Sequence, residues 1–175
     1  MLQNMTQNPT AEFAAFYESW FDRVYNYARG RTGSAARADE IAADTFERAF
    51  RAWGKFDADR GDRQTWLFAI AFRSVADHYR SEKRGVWSSL ELIAEPTAAG
   101  DGPPQLAEQA QERKNLLAAL ASLEEQAREV VSLRFFSGMT NRAIGELLGL
   151  SESNVAVILF RSVRKMRANF PGVEA

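Results

Sequence analysis

Apolar residues recur at helical spacing along most of this chain. Between Thr10 and Arg29, Phe13, Phe16, Tyr17, Trp20, Phe21, Val24 and Tyr27 follow one another at steps of three and four, which predicts an amphipathic helix ended by Gly30 and Gly33. A second helix is predicted over 34–54, with Ile41, Thr45, Phe46, Ala49, Phe50 and Trp53 on its apolar side. A third is predicted over 62–83, carrying Trp66, Leu67, Ile70, Ala71, Ser74, Val75 and Tyr79. The polar loop KFDADRGDRQ separates the last two. Further along, four helices are predicted over 109–122, 124–137, 140–148 and 151–169. No stretch sustains strict alternation, so the expected fold class is all-α.

The stretch EPTAAGDGPPQ, 95–105, breaks this pattern with residues that suit neither helix nor strand interiors. It divides the chain into a three-helix domain over 10–85, a flexible acidic linker over 86–108, and a four-helix domain over 109–170. Charge follows the same division. The segments 1–85, 86–108 and 109–175 carry net charges of +1, −4 and +2, within a total of −1. The apolar run VWSSLELI, 86–93, is expected to pack back on the first domain.

Within the second domain, TNRAIGELLGLSESNVAVILFRSVRKM reads as a helix-turn-helix over 140–167. Thr140 and Ser151 are the helix caps. Gly149 supplies the left-handed residue of the tight turn and Leu150 its apolar plug. Val155, Leu159, Ser162 and Met166 share one face of the second helix, which should be the buried one. That helix can then protrude into a DNA major groove about 12 Å wide. Its first ten residues, 151–160, carry no basic side chain, while Arg161, Arg164, Lys165 and Arg167 crowd the trailing part. Ser151, Ser153 and Asn154 offer hydrogen bonds to base edges. Val157 offers an apolar contact to a thymine methyl, and Arg161, Arg164 and Lys165 offer charge to phosphates.

Composition removes several other kinds of chemistry. The chain has no Cys and one His, His78, so thiolate nucleophiles, disulfides and multi-histidine metal sites are not expected. No cofactor and no small-molecule substrate are expected. The first residues, MLQNMTQNPTAEF, do not read as a secretory signal, and no apolar run approaches the roughly 20 residues of a membrane span. A cytoplasmic protein with no direct membrane insertion is expected. A helical-bundle hydrolase built on Asp77 and His78 is remote, because one histidine stands without a second metal-ligating cluster.

The segment LASLEEQAREVVSLRFFSGMTNRAIGELLGLSESNVAVILFRSVRKMR, 120–167, resembles region 4 of bacterial RNA polymerase sigma factors, particularly the extracytoplasmic-function group. The upstream LASLEEQAREVVSLRFF makes the likeness specific, because other helix-turn-helix regulators share only the later part. ADEIAADTFERAFRAWGKFD, 38–57, resembles the region 2 helix that grips the polymerase core, and TWLFAIAFRSVADHYRSEKR, 65–84, the following helix that faces the melted promoter strand.

The resemblance implies a non-enzymatic subunit that binds core RNA polymerase and promoter DNA and is held by an anti-sigma factor. It assigns polymerase contact to Asp39, Glu40, Asp44, Phe46, Arg48 and Arg51. The minus-ten strand would meet Lys55, Phe56, Arg60, Arg63, Trp66, Arg73, Arg80 and Arg84. The minus-thirty-five duplex would meet Thr140, Ser151, Ser153, Asn154, Val157, Arg161, Arg164 and Lys165. Trp66 by itself suits the core better than a DNA contact, since helix aromatics usually bury.

Some positions depart from the family's pattern. Ala43 stands where Gln is common, Arg73 where Asn is, and Ala143 where Glu is usual, so no capping box forms with Thr140. Gly145 replaces a common Ala, at a helix-propensity cost of about 1 kcal/mol. Ala156, Val157 and Ile158 replace a stretch usually like Lys, Ser and Arg. The alternative function is a stand-alone helix-turn-helix regulator whose first domain dimerises or senses.

Overall fold

The computed structural model describes residues 9–83 and 104–169. Among these the chain is helical: α1 (Pro9–Thr32), α2 (Ala35–Ala52), α3 (Arg63–Lys83), α4 (Pro104–Ala121), α5 (Glu125–Ser132), α6 (Asn141–Leu148) and α7 (Glu152–Asn169). Two short 3-10 turns, Trp53–Lys55 and Ala58–Arg60, lie between α2 and α3. The all-α expectation and all seven helices are met. The apolar segment 86–93 and most of the acidic stretch lie outside the described residues, although α4 begins at Pro104, inside the part read as linker.

Helices α1, α2 and α3 enclose Val24, Tyr27, Ala28, Ile41, Ala42, Phe46, Ala49, Leu67, Phe68, Ala71 and Val75. Small residues on α2 let α1 and α3 come close, and aromatics fill the remaining space edge to face. Phe13, for instance, meets Trp53 at 5.1 Å and 86°. The periodicity erred at single positions. Phe50 and Tyr17, both on predicted apolar stripes, are 51% and 39% exposed. Each lies at the margin of a stripe whose centre is taken by Phe46 or Val24, so the steps of three and four identify the face but not its edge.

Helix α5 does not run to Ser137 as one regular helix. At Leu133 it widens into a π-helical turn, Leu133–Ser137, closed by Gly138 at φ +73°. The Ser137 hydroxyl donates back to the Leu133 carbonyl and accepts from the Met139 amide at 3.0 Å. The guanidinium of Arg128 donates to the carbonyls of Leu120, Ala121 and Leu123 at 2.9–3.0 Å. It thereby satisfies the exposed end of α4, a cap the sequence pattern does not reveal.

The two halves share one core. Val130, Leu133, Met139, Ile144 and Val155 of the second half join the cluster around Val24, Tyr27 and Phe68 of the first. Leu120, Leu123, Val131 and Met166 form a smaller cluster within the second half. Among the described residues, no single helix is long and apolar enough to cross a membrane.

Candidate nucleic-acid and polymerase interfaces

The helix-turn-helix is built by local chemistry. The Thr140 hydroxyl accepts from the Ala143 amide at 3.1 Å and starts α6. Gly149, at φ +69°, ends it. The Leu150 amide then donates to the Gly145 carbonyl at 2.8 Å, and the Ser151 hydroxyl accepts from the Asn154 amide at 3.2 Å to start α7. Gly145 therefore has a structural purpose. A Cβ there would lie 2.6 Å from the Leu150 carbonyl oxygen, inside van der Waals contact with backbone. The helix-propensity cost expected at this position is offset by the closeness of the turn.

On α7 the predicted buried face is the observed one. Val155, Ser162 and Met166 are buried and Leu159 is half-buried. Ser153, Val157, Phe160 and Arg164 lie on the opposite, exposed side. Phe160, 70% exposed, was missed by sequence reasoning, although its spacing from Val157 and Arg164 places it on the outward stripe. Ala156 and Val157 are exposed, while Ile158 packs against the core. Ser151, Asn154, Arg161, Arg164 and Lys165 are exposed, and the Lys165 ammonium donates to the Ser122 carbonyl at 2.8 Å. Lys165 thus links the trailing part of α7 to the end of α4.

On α2, Asp39 is exposed, and Glu40, Asp44 and Arg48 are half-buried around a groove against α3. One Glu40 carboxylate oxygen is buried there without a hydrogen-bond partner. Arg48 is held between Asp44 at 2.9 Å and Asp77 at 2.8 Å, and Asp77 also receives Arg80 at 2.8 Å. Hydrogen bonding from Arg48 holds the Asp77 carboxyl below its ordinary pKa, and the Asp77 carboxylate in turn raises that of Arg48. Arg51 pairs with Glu47.

Phe46 requires correction as a polymerase contact. It is 4% exposed and packs against Phe13, Tyr17 and Phe21 of α1, so an external partner cannot reach it. Phe50, one turn further, is the aromatic that α2 shows to solvent.

The loop between α2 and α3 and the first turn of α3 bring Phe56, Arg63 and Trp66 together. Phe56 and Trp66 meet at 5.4 Å, and Trp66 lies 6.3 Å from the buried Trp53. The Arg63 guanidinium sits 4.1 Å from the Trp53 ring centre and 5.2 Å from that of Phe56, while pairing with Glu12. Trp66 is half-buried. Lys55 and Arg73 are exposed, and so is the Arg80 side chain where it reaches Asp77. The side chain of Arg60 and all of Arg84 lie outside the described residues.

Asp77 and His78 do not form the hydrolytic pair considered above. Asp77 is engaged by two arginines and His78 is buried, with no metal-holding cluster among the described residues.

Comparison with known proteins places both halves. The family described as Sigma-70 region 2 matches residues 16–85, and that described as Sigma-70, region 4 matches residues 113–166. The chain is 28% identical over 159 residues to the ECF RNA polymerase sigma factor BldN of Streptomyces coelicolor, covering 91% of this chain and 60% of that protein. It is 28% identical over 156 residues to the RNA polymerase sigma factor YlaC of Bacillus subtilis, covering 87% of this chain and 88% of the relative. Its fold superposes with a TM-score of 0.69 on the sigma factor RpoE, solved in complex with the anti-sigma factor NepR from Bartonella quintana. That match has 17% identity and covers 93% of this chain and 99% of the other. With regions 2 and 4 matched in order along one chain, and with curated relatives of that kind over most of its length, this protein belongs to the extracytoplasmic-function group of RNA polymerase sigma factors.

Proposed function

We propose that the chain binds core RNA polymerase and directs it to particular promoters, with each half meeting a different element. The observation that carries this reading is the presence of both regions in one chain, combined with a helix-turn-helix whose second helix turns Ser153, Val157, Phe160 and Arg164 outward. In region 2, α2 presents Asp39, Glu40, Asp44, Arg48 and Arg51 to the polymerase, where complementary charge sets register and encounter rate more than affinity. The loop and α3 take the minus-ten strand through Lys55, Phe56, Arg60, Arg63 and Trp66. Arg73, Arg80 and Arg84 hold its phosphates. In region 4, Thr140, Ser151, Ser153, Asn154 and Val157 meet the minus-thirty-five duplex, and Arg161, Arg164 and Lys165 meet its backbone.

This reading gives the protein a place of work in the cytoplasm and no chemistry of its own. Strand separation is then driven by binding energy for the extruded bases. RpoE was solved with an anti-sigma factor bound, and by likeness we assign this chain a partner of the same kind. A stand-alone helix-turn-helix regulator accounts for α6 and α7 but leaves the region 2 match without a purpose.

The discriminating experiment is affinity purification with core polymerase. The tagged chain should retain core, and Phe50→Ala combined with Arg51→Glu should release it. Tight duplex binding by the chain alone, with no core retained, would favour the regulator.

A further inference from the structure

Helix α7 turns an apolar surface to solvent. Val157 is 45% exposed and Phe160 70% exposed, and Ala156 lies exposed beside them. At about 3.6 residues per turn, Val157 stands opposite the middle of the face formed by Val155, Leu159, Ser162 and Met166, and Phe160 flanks it on the same outward arc. Polar side chains border this surface at both ends. Ser153 and Asn154 lie toward the start of the helix, and Arg161 and Arg164 toward its end. A contiguous apolar surface rimmed by polar groups marks an interaction site.

We propose that Val157 and Phe160 together read the upstream duplex through the methyl groups of two neighbouring thymines, and that Phe160 is a specificity-determining residue of this protein. The proposal rests on the sigma-factor reading and deepens it, by naming the kind of base pair that α7 selects. Arg161 and Arg164, exposed and with no ion pair among the described residues, fit a polyanion on this face better than a protein surface. In the major groove, the apolar group that a base edge presents is the C5 methyl of thymine. Ala156, Val157 and Phe160 carry no side-chain donor or acceptor, so they gain nothing from the hydrogen-bonding edges of guanine and cytosine.

The spacing suits two such contacts. Val157 and Phe160 lie about 4.5 Å apart along the helix axis. Bases stack about 3.4 Å apart along a strand, so each side chain falls on its own base pair. Between them the side chain of Ile158 is turned to the core and leaves the outward surface to its neighbours. The stretch 156–158 is also where this chain departs from the family's pattern, having no charge at the centre of its reading helix. Attraction to phosphates is thereby left to Arg161 and Arg164, and the choice of base to apolar contact.

The test uses the full chain with core polymerase and a promoter duplex carrying the upstream sequences shared by start sites mapped after overproduction of the protein. Replacing thymines of the upstream element by deoxyuridine removes their methyl groups and leaves base pairing intact. Single replacements at two neighbouring base pairs should each weaken binding about fourfold, the effect of exposing one buried methyl group. That ratio should be the same at low and high salt, because no counterion is released by a methyl contact. Val157→Ala combined with Phe160→Ala should make the thymine and deoxyuridine duplexes bind equally, while circular dichroism, retention of core polymerase and the salt slope stay as in the parent. An upstream element without thymine, or equal binding of the two duplexes by the parent complex, would overturn the proposal. So would a double variant that loses core polymerase, since the apolar surface would then belong to a protein contact. If the parent chain with core polymerase binds no promoter duplex better than core alone, the sigma-factor reading itself fails.

Discussion

On α2 and α3, Arg48 is shared between Asp44 and Asp77, Arg80 joins Asp77, and Arg51 takes Glu47. On α7, Arg161 and Arg164 stand exposed with no ion pair among the described residues. The cores differ in the same way. The first half is packed with aromatic rings, while the second relies on Leu, Val, Ile and Met. A surface of mutually paired charges fits a protein partner, which can exchange one set of ion pairs for another with small net cost. Free guanidinium groups at the end of a protruding helix fit phosphates, whose condensed counterions are released when they bind.

On α2 two neighbouring aromatics differ in the same way, Phe46 being buried and Phe50 half-exposed. Phe46→Ala should cost about 3–5 kcal/mol of unfolding free energy, because it empties a closed part of the core. Phe50→Ala should cost less, about 1 kcal/mol for the edge contact its half-exposed ring makes with Phe13 at 4.9 Å, but weaken retention of core polymerase. Chemical denaturation and the affinity purification measure the two effects separately.

Salt dependence separates the unpaired arginines of α7 from the paired ones of α2. Arg161→Ala with Arg164→Ala should lower the slope of log affinity for promoter DNA against log salt by about two, one for each lost phosphate contact. Their effect on folding should be negligible. The paired Arg51→Ala should leave that slope unchanged.

The turn of the DNA-reading motif supplies a third test. Gly145→Ala gains helix propensity but drives a methyl group against the Leu150 carbonyl, and should destabilise by about 1–3 kcal/mol. The smallest effect belongs to the exposed network. Asp77 has a lowered pKa, so its contribution to stability is present above the ordinary carboxylate value and lost as pH falls through the folded one. Its side chain is 41% exposed, so solvent screening keeps that contribution below about 1 kcal/mol. Asp77→Asn should remove the corresponding acid limb from a plot of stability against pH.

The periodicity of apolar residues was enough to place seven helices and the helix-turn-helix, because each amphipathic stripe is local information. Caps and turns were legible for the same reason, as Thr140, Gly149 and Ser151 show. Phe46 and Phe50 show the limit. They are four residues apart on one stripe, and only the position of α1 decides which of them is covered. The buried pair of Arg31 and Glu129 was invisible because both look like ordinary surface charges until the fold brings them together. The π-helical turn at Leu133 likewise depends on Ser137 bonding back to the chain, which no apolar pattern encodes.

As a sigma factor, this chain should give promoter choice to a polymerase that lacks it. Transcription start sites mapped after its overproduction identify shared upstream sequences. A template carrying one such sequence is then transcribed in vitro with purified core polymerase, with and without the protein. A discrete transcript is expected only when the protein is present, and it should be lost when either shared upstream element is scrambled. An identical transcript from core polymerase alone would contradict it.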